Sequence, residues 1–585
     1  MADNIKKNKM GFALGISEFT EVIGRKKYYA DKTLFIRDFI DADAQTTLFT
    51  RPRRFGKTLN MTMLRTFFEK PLDGKDTSHY FKNLKIWQAG EEYRLEQGKY
   101  PVIYLTFKDI KQDNYEDALF NIKKKINQEF ERHCELAESS SLSTSNKKLY
   151  AAMSERMTAD NEYAAAIETL SEMLFKHYKQ QVVILLDEYD VPIQSGFECG
   201  YYDKIIRFMR TLLSGAFKDN PNLYKGALTG VTRVSKESIF SGLNNLDVDT
   251  IFDEKFCAYF GFTQEEINEM FRFHGIEDKL KEAEEWYDGY IFGNKHIYNP
   301  WSIINYISKD CKPANYWVNV SQNGLAGEAI RSLDKTEKDN LIKLLKDEEP
   351  RPRVDISTNM VYMDFGKKSA DAYGLLAQTG YLTAIDSVPK SRTYLSTIKI
   401  PNRELFAAYS EEVIDRMLSG NASNCANKIT NAIIDGREKD LQKSLSDFLM
   451  ETCSYLTLTE EKDYQNILIA LLASMKRGYD ITLEKETGLG RADIILQPRI
   501  DNWDKRILPG IIIELKHYEA AESDKNNPEK IKAALEKEAE EALKQIEKKE
   551  YIAKMRSAGV KNVIKYGVAA SGKQVCVKTV STSNK

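Results

Sequence analysis

Histidine and cysteine are scarce in this 585-residue chain, with six of the first and seven of the second. The cysteines (Cys134, Cys199, Cys257, Cys311, Cys425, Cys453 and Cys576) are far apart and odd in number, and no CxxC pair occurs. That pattern supports neither a disulfide framework nor a zinc cluster, and the expectation is reduced, mostly buried thiols. No apolar run approaches the roughly 20 residues that a membrane helix needs. The opening MADNIKKNKMGFALG has lysines but no apolar stretch long enough for a signal peptide. A cytoplasmic chain without a membrane partner is expected. Charge of one sign is not in excess either: 85 Lys and Arg face 87 Asp and Glu, for a net charge of −2. A chain-wide basic footprint is therefore missing, so nucleic-acid binding has to be local or carried through metal ions.

Hydrophobic residues make up 42% and charged residues 29% of the chain, which is ordinary globular composition. At roughly 100–200 residues per domain, several domains are expected. In the first part, Thr46–Thr50, Val102–Phe107, Val182–Leu186 and Tyr224–Thr229 read as strands. Helical patterns such as Asn60–Phe68 and Tyr202–Phe217 separate them, which predicts a parallel sheet covered on both faces. Thr263-Gln-Glu-Glu266 has the pattern of a capping box and opens a helical region. Within it, residues 370–405 read as a helix followed by a β-wing ending in Ile398–Ile400, as in a winged helix. From about 457 the pattern is a helix (Glu461–Lys476), strands at 480–485, 492–496 and 510–515, and a charged helix from Pro528 to Ile552. Glu138–Lys148 reads as a low-complexity linker. The predicted division is 1–262, 263–456 and 457–585.

The turn after Thr46–Thr50 reads Arg51-Pro-Arg-Arg-Phe-Gly-Lys-Thr58, and a helix follows. Strand, turn and helix in that order are what a phosphate-binding loop requires, because the turn and the first N–H groups of the helix surround phosphate oxygens. Gly56 permits close backbone approach, Lys57 reaches the β- and γ-phosphates, and Thr58 places a hydroxyl on Mg²⁺. The full Walker A pattern has glycine where Arg51 stands, and the bland alternative is a basic turn capping a helix. An acidic pair, Asp187-Glu188, ends the apolar run Val182–Leu186. In such a site Asp187 holds Mg²⁺ through water and Glu188 polarises the attacking water. Thr232 and Arg233, past a further strand, are candidates to sense the γ-phosphate, with a plain strand-to-loop junction the alternative.

These segments resemble the AAA-ATPase-like family of bacterial P-loop proteins over the first roughly 400 residues. The resemblance is carried by Tyr29-Ala-Asp-Lys-Thr33, the 51–58 turn, Leu186-Asp-Glu-Tyr-Asp190, Leu228–Arg233 with Ser241–Asn245, Trp286–Tyr290 and Tyr298–Trp301. It implies ATP binding at Gly56, Lys57 and Thr58, with Asp187 and Glu188 as the Walker B pair. It leaves the hydrolysis rate open. Arg53 and Arg54 are assigned to phosphate, to a neighbouring subunit of a homo-oligomer, or to solvent.

A second constellation begins at Gly488-Leu-Gly-Arg-Ala-Asp493 and continues in Ile511-Ile-Ile-Glu-Leu-Lys516. On a strand Glu514 and Lys516 face one side. Asp493 and Glu514 on adjacent strands form an oxygen site suited to Mg²⁺ or Mn²⁺. Lys516 then orients or helps deprotonate a nucleophile. Glu461 is a further candidate ligand, and Gln545 on the following helix a candidate to steady the site. The arrangement is similar to the PD-(D/E)xK nuclease superfamily, although Ala492 stands where proline is usual. A strand with surface salt bridges is the alternative.

The fold class expected is α/β throughout: a P-loop NTPase with a parallel sheet, a helical and winged-helix-like middle, and a C-terminal restriction-endonuclease-like α/β domain. The function expected is an ATP-binding and ATP-hydrolysing module coupled to a Mg-dependent nuclease acting on DNA or RNA. Defence against foreign nucleic acid enters by analogy with fold and architecture alone. The competing reading is a nucleotide-dependent switch whose nuclease-like domain only binds nucleic acid or a partner.

Overall fold

The structure, a computed structural model, describes residues 11–583 except 73, 235–245, 318–323, 347–348, 361–366, 407–408, 410–421, 453–460, 473–474, 476–477, 483–493, 500–507, 521–526, 548–554 and 557–558. The chain forms two compact units. One comprises residues 1–332 and 353–405, the other 333–352 and 406–585. The boundaries predicted near 262 and 456 each fall inside one of these units.

The first unit is built on a five-stranded sheet. Its strands are β1 (Thr46–Thr50), β2 (Val102–Thr106), β3 (Val182–Asp187), β4 (Leu223–Gly230) and β5 (Leu246–Asp249). Their order is β2-β3-β4-β1-β5 and every neighbouring pair is parallel. Every residue of β1 and β3 is buried, as expected of strands with helices on both faces. The four strands read from the sequence are present, and β5 was not anticipated. Leu246 and Val248 are only half-buried and Asp247 is exposed, the weak apolar pattern of a sheet edge, while Asp249 at its end is buried. Helix Tyr202–Phe217 buries Ile205, Ile206, Met209, Leu212, Leu213 and Ala216 along one stripe.

The Thr263–Glu266 capping box is present: the threonine hydroxyl accepts from the Glu266 N–H, and the Glu266 side chain accepts from the Thr263 N–H. The predicted wing is also present. Helix Ser369–Thr379 is followed by strands Thr383–Pro389 and Tyr394–Lys399, which pair antiparallel and are joined by Arg353–Ile356. The stretch read as a linker differs from expectation. Ser143 caps a helix over Thr144–Ser154, with its hydroxyl accepting from the Asn146 N–H at 3.1 Å. Tyr150 and Met153 on that helix are buried, so a serine-rich stretch is a helix start here.

The second unit carries a mixed sheet. Its strands are β6 (Tyr479–Thr482), β7 (Ile494–Pro498), β8 (Gly510–His517), β9 (Asn562–Ser571) and β10 (Gln574–Ser583), in that spatial order. The pair β8/β9 is parallel and the other pairs are antiparallel. Helix Pro528–Glu547 connects the parallel strands in sequence and buries Ile531, Leu535, Ala539, Ala542 and Ile546. The Lys/Glu helix is thus solvated on one face and packed on the other. It lies close on β9: a Cβ at Gly567 would sit 2.1 Å from the Ala539 carbonyl oxygen, so that crossing requires glycine. The strands β9 and β10 have no counterpart in the sequence reading. Among the described residues, Cys257, Cys311 and Cys576 are buried and Cys134 and Cys199 exposed. Also among them, no helix is long and apolar enough to cross a membrane.

Candidate functional site

At the carboxyl edge of the parallel sheet, β1 runs into the turn 51–56 and then helix Lys57–Phe68. Gly56, at φ 84°, and Arg54, at φ 72°, hold the left-handed conformation that folds this turn back. Glycine takes that conformation at no steric cost. No side chain caps the helix, so its first N–H groups have no intrahelical partner and face the turn.

The chemistry-bearing side chains meet here. The Lys57 ammonium is buried, donates to the carbonyls of Arg51 and Pro52 at 3.0 and 3.1 Å, and lies 3.3 Å from a Glu188 oxygen. The Thr58 hydroxyl donates to Asp187 at 2.9 Å. Asp187 is fully buried and accepts two more hydroxyls, from Thr106 at 3.0 Å and Thr229 at 2.7 Å. Burial, and then the charge of Glu188, push its carboxyl above the usual range, while the threonines and Lys57 pull it down. Glu188 is held at φ 55° and its N–H bonds Thr229 Oγ1 at 3.2 Å. A non-glycine residue in that conformation marks a position fixed by its surroundings.

Asp190, two residues on, is buried too. Its Oδ2 accepts from the N–H groups of Val231 and Thr232 at 2.8 and 2.9 Å, and from the Thr232 hydroxyl at 3.2 Å. Burial, with Glu188 second, raises its carboxyl to about 6. Thr232 is thereby tied to Asp190, and Arg233 pairs in a short parallel bridge with Asn359. Neither is among the residues lining the cleft described next.

A cleft of about 460 Å³ opens over the turn, lined by residues that include Arg53–Asn60, Lys108, Lys111, Glu188, Tyr259 and Trp301. Arg54 stacks on the Trp301 ring at 4.5 Å, and Arg53 bonds Gln194 at 3.3 Å. Arg51 points away from this cleft into the core. It pairs with Asp249 at the end of β5, donates to the Thr50 and Asp249 carbonyls, and lies over Phe260 at 4.9 Å. The residue that replaces a Walker glycine is therefore a buried brace between β1 and β5. Two hard oxygen donors 2.9 Å apart, Thr58 and Asp187, beside a buried ammonium, fit a Mg²⁺ that keeps most of its waters. Thr106, Thr229, Asp190, Lys108 and Lys111 belong to this neighbourhood and were not read as site residues from the sequence. The signal for the threonines was their place at the ends of the strands flanking β3.

In the second unit Glu514 is buried on β8, in register with Gly567 of β9, and Lys516 is half-buried two residues further on the same face. Glu461 is exposed at the first position of helix Glu461–Leu472, and Gln545 is half-buried on helix Pro528–Glu547. One turn after Glu461, Tyr464 stacks on His517 at 5.5 Å and its hydroxyl donates to the Gly572 carbonyl at 2.8 Å. Asp493, and with it the 488–493 lead-in, lies outside the described residues, as does the 241–245 segment. Among the described residues no group of three or more His, Cys, Asp or Glu gathers as a metal site.

Comparison with known proteins agrees with both halves. Residues 13–240 match the AAA-ATPase-like family, described as Predicted AAA-ATPase. Residues 459–580 match the PD-(D/E)XK nuclease superfamily. The two matches cover separate parts of the chain, the first towards its N-terminus and the second towards its C-terminus. A protein of Azotobacter chroococcum mcd 1, described as an uncharacterized protein in the vnfD 5′ region, is 26% identical over 422 residues, which is 70% of this chain and 71% of that one. The AAA-ATPase-like match spans β1 to β4, including the 51–58 turn and Asp187-Glu188. The PD-(D/E)XK match spans β6 to β9 and part of β10, including Glu514 and Lys516.

Proposed function

We propose that the protein binds and hydrolyses ATP at the turn 51–58 and uses the nucleotide state to govern a metal-dependent phosphodiesterase in its PD-(D/E)XK domain. The observation that carries the first half is the Thr58–Asp187 hydrogen bond at 2.9 Å with Lys57 and Glu188 alongside. Hydroxyl, carboxylate, ammonium and acid lie within hydrogen-bond or ion-pair reach of one another there.

In this reading Lys57 leaves the Arg51 and Pro52 carbonyls for the β- and γ-phosphate oxygens, and the uncapped helix N-terminus takes up the remaining oxygens. Losing Lys57 as its ion-pair partner releases Glu188 to accept a proton from, or orient, the attacking water. Mg²⁺ held through Thr58 and Asp187 supplies charge neutralisation of the phosphates when bound. Three threonine hydroxyls donate to Asp187 and favour its ionised form, opposing the burial and the Glu188 charge that raise its carboxyl. In the C-terminal domain Glu514, together with Asp493 by sequence, holds the divalent cation, and Lys516 orients the nucleophile. These residues would hold a divalent cation that would lower the pKa of a water and stabilise negative charge on the scissile phosphate. Glu461 and Gln545 are proposed as outer contributors. Defence against foreign nucleic acid is a use that a nucleotide-gated nuclease would serve.

The test is a cleavage assay on single- and double-stranded DNA and RNA, with and without ATP, Mg²⁺ and Mn²⁺, run in parallel with nucleotide-binding titrations. Lys57→Ala is expected to lower ATP affinity by at least about 100-fold. Wild-type chain that binds ATP but cleaves none of the substrates under any metal condition would leave the nucleotide switch and remove the nuclease.

A further inference from the structure

The cleft over the turn presents more positive charge than Lys57 alone. Arg53, Arg54, Lys108 and Lys111 also line it, and Glu188 is the one carboxylate among the described lining residues. Lys108 and Lys111 come from the turn after β2, the strand that borders β3. That turn is anchored on both sides. Its Phe107 N–H donates to the Asp187 carbonyl at 2.9 Å, and Phe107 and Ile110 are buried. The Gln112 carbonyl accepts from the Ser195 hydroxyl at 3.1 Å and from the Tyr201 hydroxyl at 2.7 Å. Two lysines at i and i+3 are thus delivered to the cleft by a turn fixed directly to the backbone of the Walker B aspartate.

Their position along the cleft matters. In the nucleotide reading Lys57 and the helix N-terminus take the β- and γ-phosphates and Glu188 the attacking water, and Lys108 and Lys111 line the same cleft from the strand beside β3. The Lys111 ammonium feels Arg53 and Glu188 together: burial and then Arg53 lower it from the usual lysine value, and Glu188 opposes them. Arg53 and Lys111 line the same cleft, and like charges gathered around one cleft are at their least unfavourable with an anion among them.

We propose that Lys111, with Lys108 beside it, contacts the γ-phosphate of a bound nucleoside triphosphate and lets the site distinguish triphosphate from diphosphate. The proposal rests on the nucleotide reading of the cleft and assigns its discriminating residue. A lysine on this turn would report the loss of the terminal phosphate directly to the Asp187 backbone, through the Phe107–Asp187 hydrogen bond.

The experiment is calorimetric titration of the full-length chain with MgATP and with MgADP, comparing wild type, Lys111→Ala and Lys111→Arg. Lys111→Ala should weaken MgATP by about tenfold, equivalent to one charge-assisted contact, and change MgADP by less than about threefold. Lys111→Arg should restore most of the MgATP affinity, and the melting temperature without nucleotide should change little, because the side chain lines the open cleft and keeps contact with solvent. Equal weakening of both nucleotides, or no change in either, overturns the proposal while leaving ATP binding intact. Wild-type chain that binds neither nucleotide overturns the nucleotide reading itself, and the proposal with it.

Discussion

The two units treat buried acid differently. Among the described residues the first unit buries Glu129, Asp187, Asp190, Asp249 and Glu404, and the second buries Glu514. In the first unit these carboxylates accept from hydroxyl, amide or guanidinium donors, and two of them, Asp187 and Asp249, tie strand ends to one another. Asp187 links β3 to β2, β4 and the P-loop helix, and Asp249 links β5 to Arg51. In the second unit one carboxylate sits on a strand whose preceding residues are Ile511, Ile512 and Ile513. In the function proposed above, the nucleotide site is a network distributed over several strand ends, whereas the C-terminal site places Glu514 and Lys516 on one apolar strand.

If that contrast is right, the two sites fail separately. Asp187→Asn is expected to reduce ATP turnover by about a thousandfold while leaving metal-dependent cleavage by an otherwise unaltered C-terminal domain detectable. Glu514→Gln is expected to reduce cleavage by a similar factor and to leave nucleotide affinity unchanged. Steady-state ATPase and cleavage rates on both variants measure this. Loss of nucleotide binding in Glu514→Gln would break the comparison, since it would make Glu514 part of the first network.

Legibility in the sequence follows the same contrast. The parallel core was readable because β1 to β4 are near-continuous apolar runs between helical patterns, and Lys57, Thr58, Asp187 and Glu188 were singled out because they sit at the run ends where such sheets place ligands. The roles of Thr106 and Thr229 were not readable, because a threonine ending a strand is ordinary and only the sheet order places both against Asp187. Arg51 could not be separated by sequence from Arg53 and Arg54, because burial against Asp249, Phe260 and Phe292 distinguishes it and none of those is local. Strand β9 escaped because Lys565 and Gly567 interrupt its apolar run. In the fold Lys565 is buried and Gly567 is needed where the helix crosses. Glu514 and Lys516 were readable from their i, i+2 spacing on an apolar strand.

That crossing sharpens the comparison from the side of stability. In the second unit helix Pro528–Glu547 lies close on β9, with the Ala539 carbonyl directly over Gly567. Gly567→Ala would drive a methyl into a backbone carbonyl, which cannot rotate aside as a side chain can. A cost of about 3 kcal/mol is expected, read from urea unfolding followed by a probe in the C-terminal domain. A variant as stable as wild type would mean that the helix can lift from the sheet, and that the packing around Glu514 is looser than its burial implies.

The smallest expected effect concerns a buried acid outside the catalytic set. Glu404 is fully buried and accepts from the Ser302 hydroxyl and the Trp317 N–H, each at 2.7 Å. Ser302 follows Trp301, the ring on which Arg54 of the phosphate loop stacks. Burial raises the Glu404 carboxyl from its ordinary 4.5 to about 7, against the pull of those donors. The folded chain therefore keeps a proton that the unfolded chain releases near 4.5. The stability this contributes is complete below about pH 4.5, declines as pH rises, and is gone above about pH 7. Asp190 and Asp249, both raised to about 6, slope the same way, so the wild-type curve alone cannot isolate Glu404. Glu404→Gln removes one titration and leaves the others. Between pH 4.5 and 7.5 the variant should gain on wild type by on the order of 2 kcal/mol, measured as the difference of two denaturation series. Parallel curves would show that Glu404 ionises in the folded protein as readily as in the unfolded chain. The charge would then have solvent beneath Trp301, and the support of the phosphate loop would be more open than that of Asp187.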